Sequence, residues 1–214
     1  MQRRRYHQKE KTAGKAERGQ KTHAPVWHGA NPQRSVYRCF EDGFVTYEAD
    51  DAREKTVCFT GHRCLTSADH ANLAASLPEA LEKLYETGYR FFLCGGALGF
   101  DTFAALEVLR LKKRHADVRL KMALPCPSQP NRWSSQDQRV YWDLLRSADV
   151  VLYISDAYYE GCMQKRNRYL VDHASLCVCY LKNCRGGTWY TVSYAYDQQV
   201  RILNLLREGK KAGS

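Results

Sequence analysis

The chain has no apolar run approaching the roughly 18 residues that cross a bilayer; its longest strand-like stretch is VVLYI, residues 150–154. No apolar segment follows the basic amino terminus, which argues against a secretory signal. No CxxC pair occurs among the nine cysteines, so the usual spacing of a structural zinc site is missing. Six prolines and 14 glycines in 214 residues are too few for a low-complexity chain. Membrane insertion and export are therefore not expected, and a cytoplasmic location is. The odd, scattered cysteines fit a reducing compartment, where a buried thiol acts as a small hydrophobe. The competing reading is a metal site on His173, Cys177, Cys179 and Cys184. Cys177 and Cys179 would face the same way on one strand.

The positive charge is unevenly placed. Residues 1–24 hold eight Lys and Arg against two Glu, so they carry +6 of the net +10 and the other 190 residues only +4. Residues 1–34 lack hydrophobic periodicity and read as a disordered basic tail. That tail is either solvated or able to touch nucleic acid through a salt-sensitive contact. Residues 35–54, with two β-prone runs around Glu41-Asp42-Gly43, read as a β-hairpin or linker. Residues 208–214 form a short carboxyl-terminal tail.

Between 55 and 207 the chain alternates strand and helix. Strands are expected at TVCFTG, YRFFLC, VRLKMALP, DVVLYIS, SLCVCYL and VRILNL. Helices are expected over 76–88, 101–115, 135–148, 163–174 and 191–199. The first would open on a Ser76–Glu79 capping box with Pro78 in its first turn and stop at Gly88. Such alternation predicts an α/β fold, a mainly parallel sheet with helices on both faces. Ligands then sit beyond the carboxyl ends of the strands.

The residues after those strands are glycines, hydroxyls, amides and guanidiniums, groups suited to phosphates and sugars. Thr60, Gly61, His62 and Arg63 follow the first strand, and Gly95, Gly96, Gly99 and Asp101 the second. Gly95 and Gly96 would let the backbone approach a ligand, and the next helix would offer its free N–H groups. Asp101 either caps that helix or holds a ribose. Gln129 and Trp133 follow the third strand, the tryptophan stacking on a base or packing beneath its loop. Arg166 and Asn167 lie on the fourth helix, the arginine offering a fork for phosphate. Gly186, Gly187 and Thr188 follow the fifth strand. Amides after Gly95, Gly96 and Gly187, with Arg63 and Arg166, would hold phosphate, and Thr60 and Thr188 would add hydroxyl contacts. No metal or cofactor is required by this set.

FTGHR, GGALGFDTFAA, MQKRNRYLVDHA and GGTWYTVSYA, in that order over residues 55–205, resemble the YpsA-like branch of the SLOG superfamily. That group is similar in turn to the DNA-processing DprA proteins and the LOG phosphoribohydrolases. The resemblance implies a Rossmann-like sheet binding a nucleotide or nucleotide derivative, such as ADP-ribose, NAD or a nucleoside phosphate, in a sensing or signalling role. It also implies a link to bacterial cell division or stress, which has been proposed for members, and leaves homo-oligomers open. LOG enzymes resemble a pattern with paired glutamates soon after the glycines and threonine. Here Trp189, Tyr190 and Thr191 follow Thr188, so the binding half is matched by Met163 and Arg166 while the acid that hydrolysis calls for is missing. The expectation is a binder, with phosphoribohydrolase activity or DprA-like single-stranded DNA binding as alternatives.

Overall fold

The computed structural model describes residues 53–206 and the backbone of 35–38. The expectations for residues 1–34 and 208–214, and most of those for 35–54, lie outside the described residues. Strand β1 is Ser35–Arg38, and a short 3-10 turn at Arg53–Lys55 leads into β2, Thr56–Gly61. There follow α1 (Ser67–Glu86), β3 (Phe91–Cys94), α2 (Phe100–Arg114), β4 (Arg119–Leu124) and α3 (Ser135–Ser147). The chain continues through β5 (Val150–Tyr153), α4 (Cys162–Asp172), β6 (Leu176–Tyr180), α5 (Gly186–Asp197) and β7 (Arg201–Asn204).

All strand pairs are parallel, in the order β1-β5-β4-β3-β2-β6-β7. The six strands from β2 to β7 are those expected, and β1 joins them by pairing with β5. Because parallel strands here are covered on both faces, alternate residues feed two cores. Val57, Phe59, Phe92, Leu120, Met122 and Val178 pack with α1, α2 and α3. Cys58, Leu93, Ala123, Leu152, Cys177 and Cys179 pack with α4 and α5. Burying a side chain of the size of Leu or Phe contributes about 1.5–3 kcal/mol.

The first helix departs from expectation. It starts at Ser67, nine residues before Ser76, and its capping box is Thr66 with Asp69: Asp69 N–H donates to Thr66 Oγ1 at 3.2 Å, and Thr66 N–H to Asp69 Oδ2 at 2.8 Å. Ser76 instead sits inside the helix, its hydroxyl donating to the Asn72 carbonyl at 2.8 Å, and Pro78 is also internal. The early turns hide their periodicity because alanine and serine surround the lone Leu73. Helix α5 likewise starts at Gly186, ahead of the expected residue 191.

The chain builds β2, β3, β4 and β5 outward in one direction, then returns through α4 to place β6 on the other side of β2. The strand order therefore reverses between β2 and β6, the crevice where parallel α/β sheets take ligands.

Candidate functional site at the carboxyl rim

The parallel sheet brings every loop named from the sequence to one rim, but the loops are not alike. At the β3–α2 turn, Gly95, Gly96 and Asp101 are buried. Arg166 from α4 is 4% exposed and donates from Nη1 to the Gly95 carbonyl and from Nε to Asn167 Oδ1 at 2.8 Å. Asp101 accepts from the Ala97 amide at 3.4 Å. Burial pushes its carboxyl above the ordinary range, and the neighbouring Arg166 charge pulls it part of the way back. Burial also pulls the Arg166 guanidinium below its usual value, with Asp101 opposing.

Two expectations are corrected here. Asp101 does not cap α2: Gly99 occupies that position with no side-chain cap, and Asp101 lies in the first turn, folded back on the turn's own amides. The protein's carboxylate thus occupies the seat expected for a phosphate. Nor are these glycines kept clear for a ligand. A Cβ on Gly95 would stand 2.6 Å from Arg166 Cζ and 2.8 Å from Asp101 Oδ2, and one on Gly96, at φ +65°, would stand 2.6 Å from Leu124 Cδ2. Gly61 makes room for the Phe100 side chain, at 2.5 Å, and Gly99 for the backbone of Arg63. Internal packing demands all four.

The β6–α5 turn is built the other way. A Cβ on Gly186 or Gly187 would meet nothing within 4 Å. The N-cap position of α5 is Arg185, and no side chain caps the helix. Helices α1 and α3, by contrast, are capped by Thr66 and Ser134. Thr188 is buried in the first turn of α5. Free amides at a helix start, with the positive end of its dipole, form an anion seat. Thr60 is buried at the end of β2.

The switch crevice between these turns is bridged. His62 Nε2 accepts from the Lys182 amide at 2.9 Å, so the neutral ring carries its proton on Nδ1. Burial and then the Lys182 charge lower its pKa. The Lys182 ammonium reaches Asp69 at 2.7 Å, and the Tyr180 hydroxyl donates to the same carboxylate at 2.8 Å. These bonds, led by that of Lys182, hold Asp69 well below the usual carboxylate range. Arg63 is exposed on the β2–α1 loop, where its charge is felt by Asp101 and Arg166.

On the far side, Gln129 Nε2 donates to the Gly96 carbonyl at 3.0 Å. Trp133 is half-buried and meets Tyr141 edge-on at 5.3 Å, the packing role of its two expected ones. Sequence reasoning passed over Asp69, Tyr141, Ser155 and Lys182. Tyr141 reads as one more apolar position of α3, and Asp69 hides in a weakly periodic stretch. Among the described residues no group of three or more His, Cys, Asp or Glu could hold a metal ion, and Cys177 and Cys179 are buried while Cys184 and His173 are exposed. The zinc reading of those four residues therefore fails. Among the described residues no helix is long and apolar enough to cross a membrane. A groove of about 660 Å³ lies elsewhere, between α1 and the β6–β7 edge, lined by residues such as Ser76, Leu176 and Leu203.

The family model for YpsA, described as the YspA SLOG family, matches residues 64–202. The chain belongs to this family. A UPF0398 protein of Halalkalibacterium halodurans is 30% identical over 158 residues, covering 72% of this chain and 81% of its own length. The prophage-derived YoqJ of Bacillus subtilis is 31% identical over 135 residues, 58% of this chain and 77% of that protein. Among solved structures, DprA of Streptococcus pneumoniae superposes with a TM-score of 0.55 at 12% identity, over 76% of this chain and 54% of that one. DprA of Helicobacter pylori, solved for its single-stranded DNA binding mode, gives 0.52 at 18% identity, over 73% and 66%. These two likenesses establish a shared fold, and the chain spans less than two thirds of either DprA.

Proposed function

We propose that this SLOG protein binds a nucleotide or nucleotide-derived ligand across the β2–β6 switch crevice, in a sensing or signalling role. The observation that carries the reading is the uncapped, side-chain-free start of α5 at Gly186–Thr188, next to that crevice. Its amides take phosphate, and the exposed Arg185 immediately before them supplies positive charge. Arg166 acts indirectly in this reading: it fixes the Gly95 turn from beneath and is a positioning residue. Turnover is not part of the proposal, because α5 carries no carboxylate before Asp197. Stabilising an oxocarbenium-like centre and activating water call for a nearby acid.

The test is a melting-temperature screen over AMP, ADP, GMP, NAD and ADP-ribose, run beside a base-release assay. One nucleotide at a hundredfold excess over its Kd should stabilise the fold by about 2.7 kcal/mol, several degrees for a domain of this size. Free base should not appear. Base release from a nucleoside monophosphate would replace the sensor with a phosphoribohydrolase.

A second reading, single-stranded DNA binding, has one observation in its favour. The Arg168 guanidinium donates to the Tyr190 hydroxyl at 2.7 Å and lies 5.7 Å from the Tyr194 ring on the outer face of α4 and α5. Aromatics and arginine side by side are the materials of a base-stacking platform. Retention of an oligonucleotide that survives removal of residues 1–34 and is lost in Arg168→Ala would support it.

A further inference from the structure

Among the described residues β7 has a strand neighbour on one side only, β6, so its other side is a free edge of the sheet. Free edges are usually shielded by charge, proline or a covering element. β7 reads Arg-Ile-Leu-Asn with every residue exposed, and its one charge, Arg201, is turned to the Tyr89 hydroxyl. Leu205 N–H donates to the Cys179 carbonyl at 2.9 Å, toward β6. Successive residues of a strand direct their N–H and C=O groups to opposite sides. Those of Leu203 therefore face β6, while those of Ile202 and Asn204 are stranded on the outer side.

Apolar side chains flank that edge on both faces of the sheet. The register sets Ile202 beside Cys177, on the α5 face, and Leu203 beside Val178, on the α1 face. On α5, Thr188, Thr191, Val192 and Ala195 are buried, and Tyr190 and Tyr194 turn to Arg168 and Asp172 of α4. Helical spacing leaves Trp189 and Tyr196 on the flank away from α4. Because α4 packs on β2 and β4 and α5 on β2, β6 and β7, that flank looks out past β7. Trp189, Tyr196, Ile202 and Leu203 are all exposed. A grouped apolar patch of this kind marks an interaction site. The eight residues after Leu206, REGKKAGS, hold no large apolar side chain to cover it.

We propose that this edge pairs with a second copy of the chain, β7 antiparallel to its counterpart about a two-fold axis at Leu203. Such a contact needs a surface complementary to itself. Ile202 and Asn204 stand symmetrically about Leu203, so each meets the other residue of the partner and exchanges both backbone hydrogen bonds with it. Leu203 faces its own copy in the non-bonded position, where Cα atoms come to about 4.5 Å. The two α5 helices then run antiparallel on one face of the joined sheet. The acidic end of one, at Asp197, lies beside the basic start of the other, at Arg185, and their dipoles oppose. Centred on β6, these helices stand three strand spacings apart, about 14 Å. Ordinary helix pairs are closer, at about 8–10 Å, and Trp189 and Tyr196 are large enough to fill the difference. An unrelated peptide strand would satisfy the backbone but leave both aromatics uncovered.

Full-length protein is followed by sedimentation over a dilution series, as wild type, Leu203→Lys, Trp189→Ser and Leu106→Lys. Wild type should show the mass of two chains, falling to one on dilution. Leu203→Lys opposes two like charges, and Trp189→Ser removes an aromatic anchor. Each should raise the dissociation constant at least about tenfold, with an unchanged circular dichroism spectrum. Leu106, exposed on α2, is the control and should leave it unchanged. Leu203→Cys tests the register: opposed at about 4.5 Å, the two thiols should form a disulfide between chains on mild oxidation with diamide, and wild type should form none. A monomer at every concentration overturns the proposal. A dimer that Leu203→Lys and Trp189→Ser leave intact uses another face and overturns it too. Failure of Leu203→Cys to link the chains overturns the two-fold at Leu203. Slow hydrogen exchange at Ile202 and Asn204 in a monomer means that another part of the same chain covers the edge, and likewise overturns it.

Discussion

Gly95–Gly96 and Gly186–Gly187 both belong to strand-to-helix junctions of the same rim, the first pair directly after β3 and the second opening α5. At the first, a Cβ on Gly95 would strike Arg166 and Asp101; at the second, it would meet open space. The Ala97 amide is spent on Asp101, whereas no side chain caps the first amides of α5. A glycine pair after a strand is therefore not one kind of signal. It marks either a backbone crowded by its own protein or a backbone left open to a guest, and the side chains arriving from elsewhere decide which.

The sharpest way to break this contrast is to remove the group that fills the first turn. Arg166→Met should leave Asp101 buried without its neighbouring cation and cost about 3–5 kcal/mol at neutral pH, read as a lower urea midpoint. Because the Asp101 carboxyl is already raised by burial, its contribution to stability falls as pH rises through its folded pKa. The deficit of Arg166→Met should accordingly shrink on acidification, where Asp101 becomes neutral. A deficit independent of pH would mean that Arg166 acts through packing alone.

Gly95→Ala should come next, costing about 1–3 kcal/mol by overpacking. Its counterpart, Gly187→Ala, should change the unfolding free energy by no more than about 0.5 kcal/mol, as an exposed position does. It should weaken any phosphate-bearing ligand several-fold by crowding the α5 amides, measured by calorimetry. If both alanines behave alike, the distinction between a filled and an open turn is wrong.

The smallest effect concerns acid. Asp69 is held below its ordinary value of 3.8, first by Lys182. A depressed carboxylate contributes stability that is present above that value and lost as pH falls through the folded pKa. The melting temperature of wild type should therefore drop below about pH 4, and Asp69→Asn should flatten that limb while starting from a lower plateau. The two buried carboxylates of the rim thus titrate with opposite signs.

Much of the frame was legible in advance. Strands such as TVCFTG and SLCVCYL are short apolar runs between helical patterns, and that alternation admits little besides a parallel sheet with its loops on one rim. The first half of α1 was not legible, because an alanine-rich segment folds as helix without displaying a stripe. The direction in which Asp101 and Arg166 point was not legible either. Arg166 reads as a ligand group and Asp101 as a cap or a ligand group, since a charged residue at the end of a strand or on a helix carries no mark of whether it will be buried.

The sequence alone determined the order of strands and helices, the family, and the set of polar loops that share an edge, because periodicity and turn chemistry are local properties of the chain. Only the tertiary structure decided which glycine turn is filled, which helix starts are left uncapped, and which polar atoms are stranded. Those outcomes depend on side chains meeting across 71 residues, as Arg166 does with Gly95, or 113, as Lys182 does with Asp69. A contact of that range is fixed by packing and has no local signature to read.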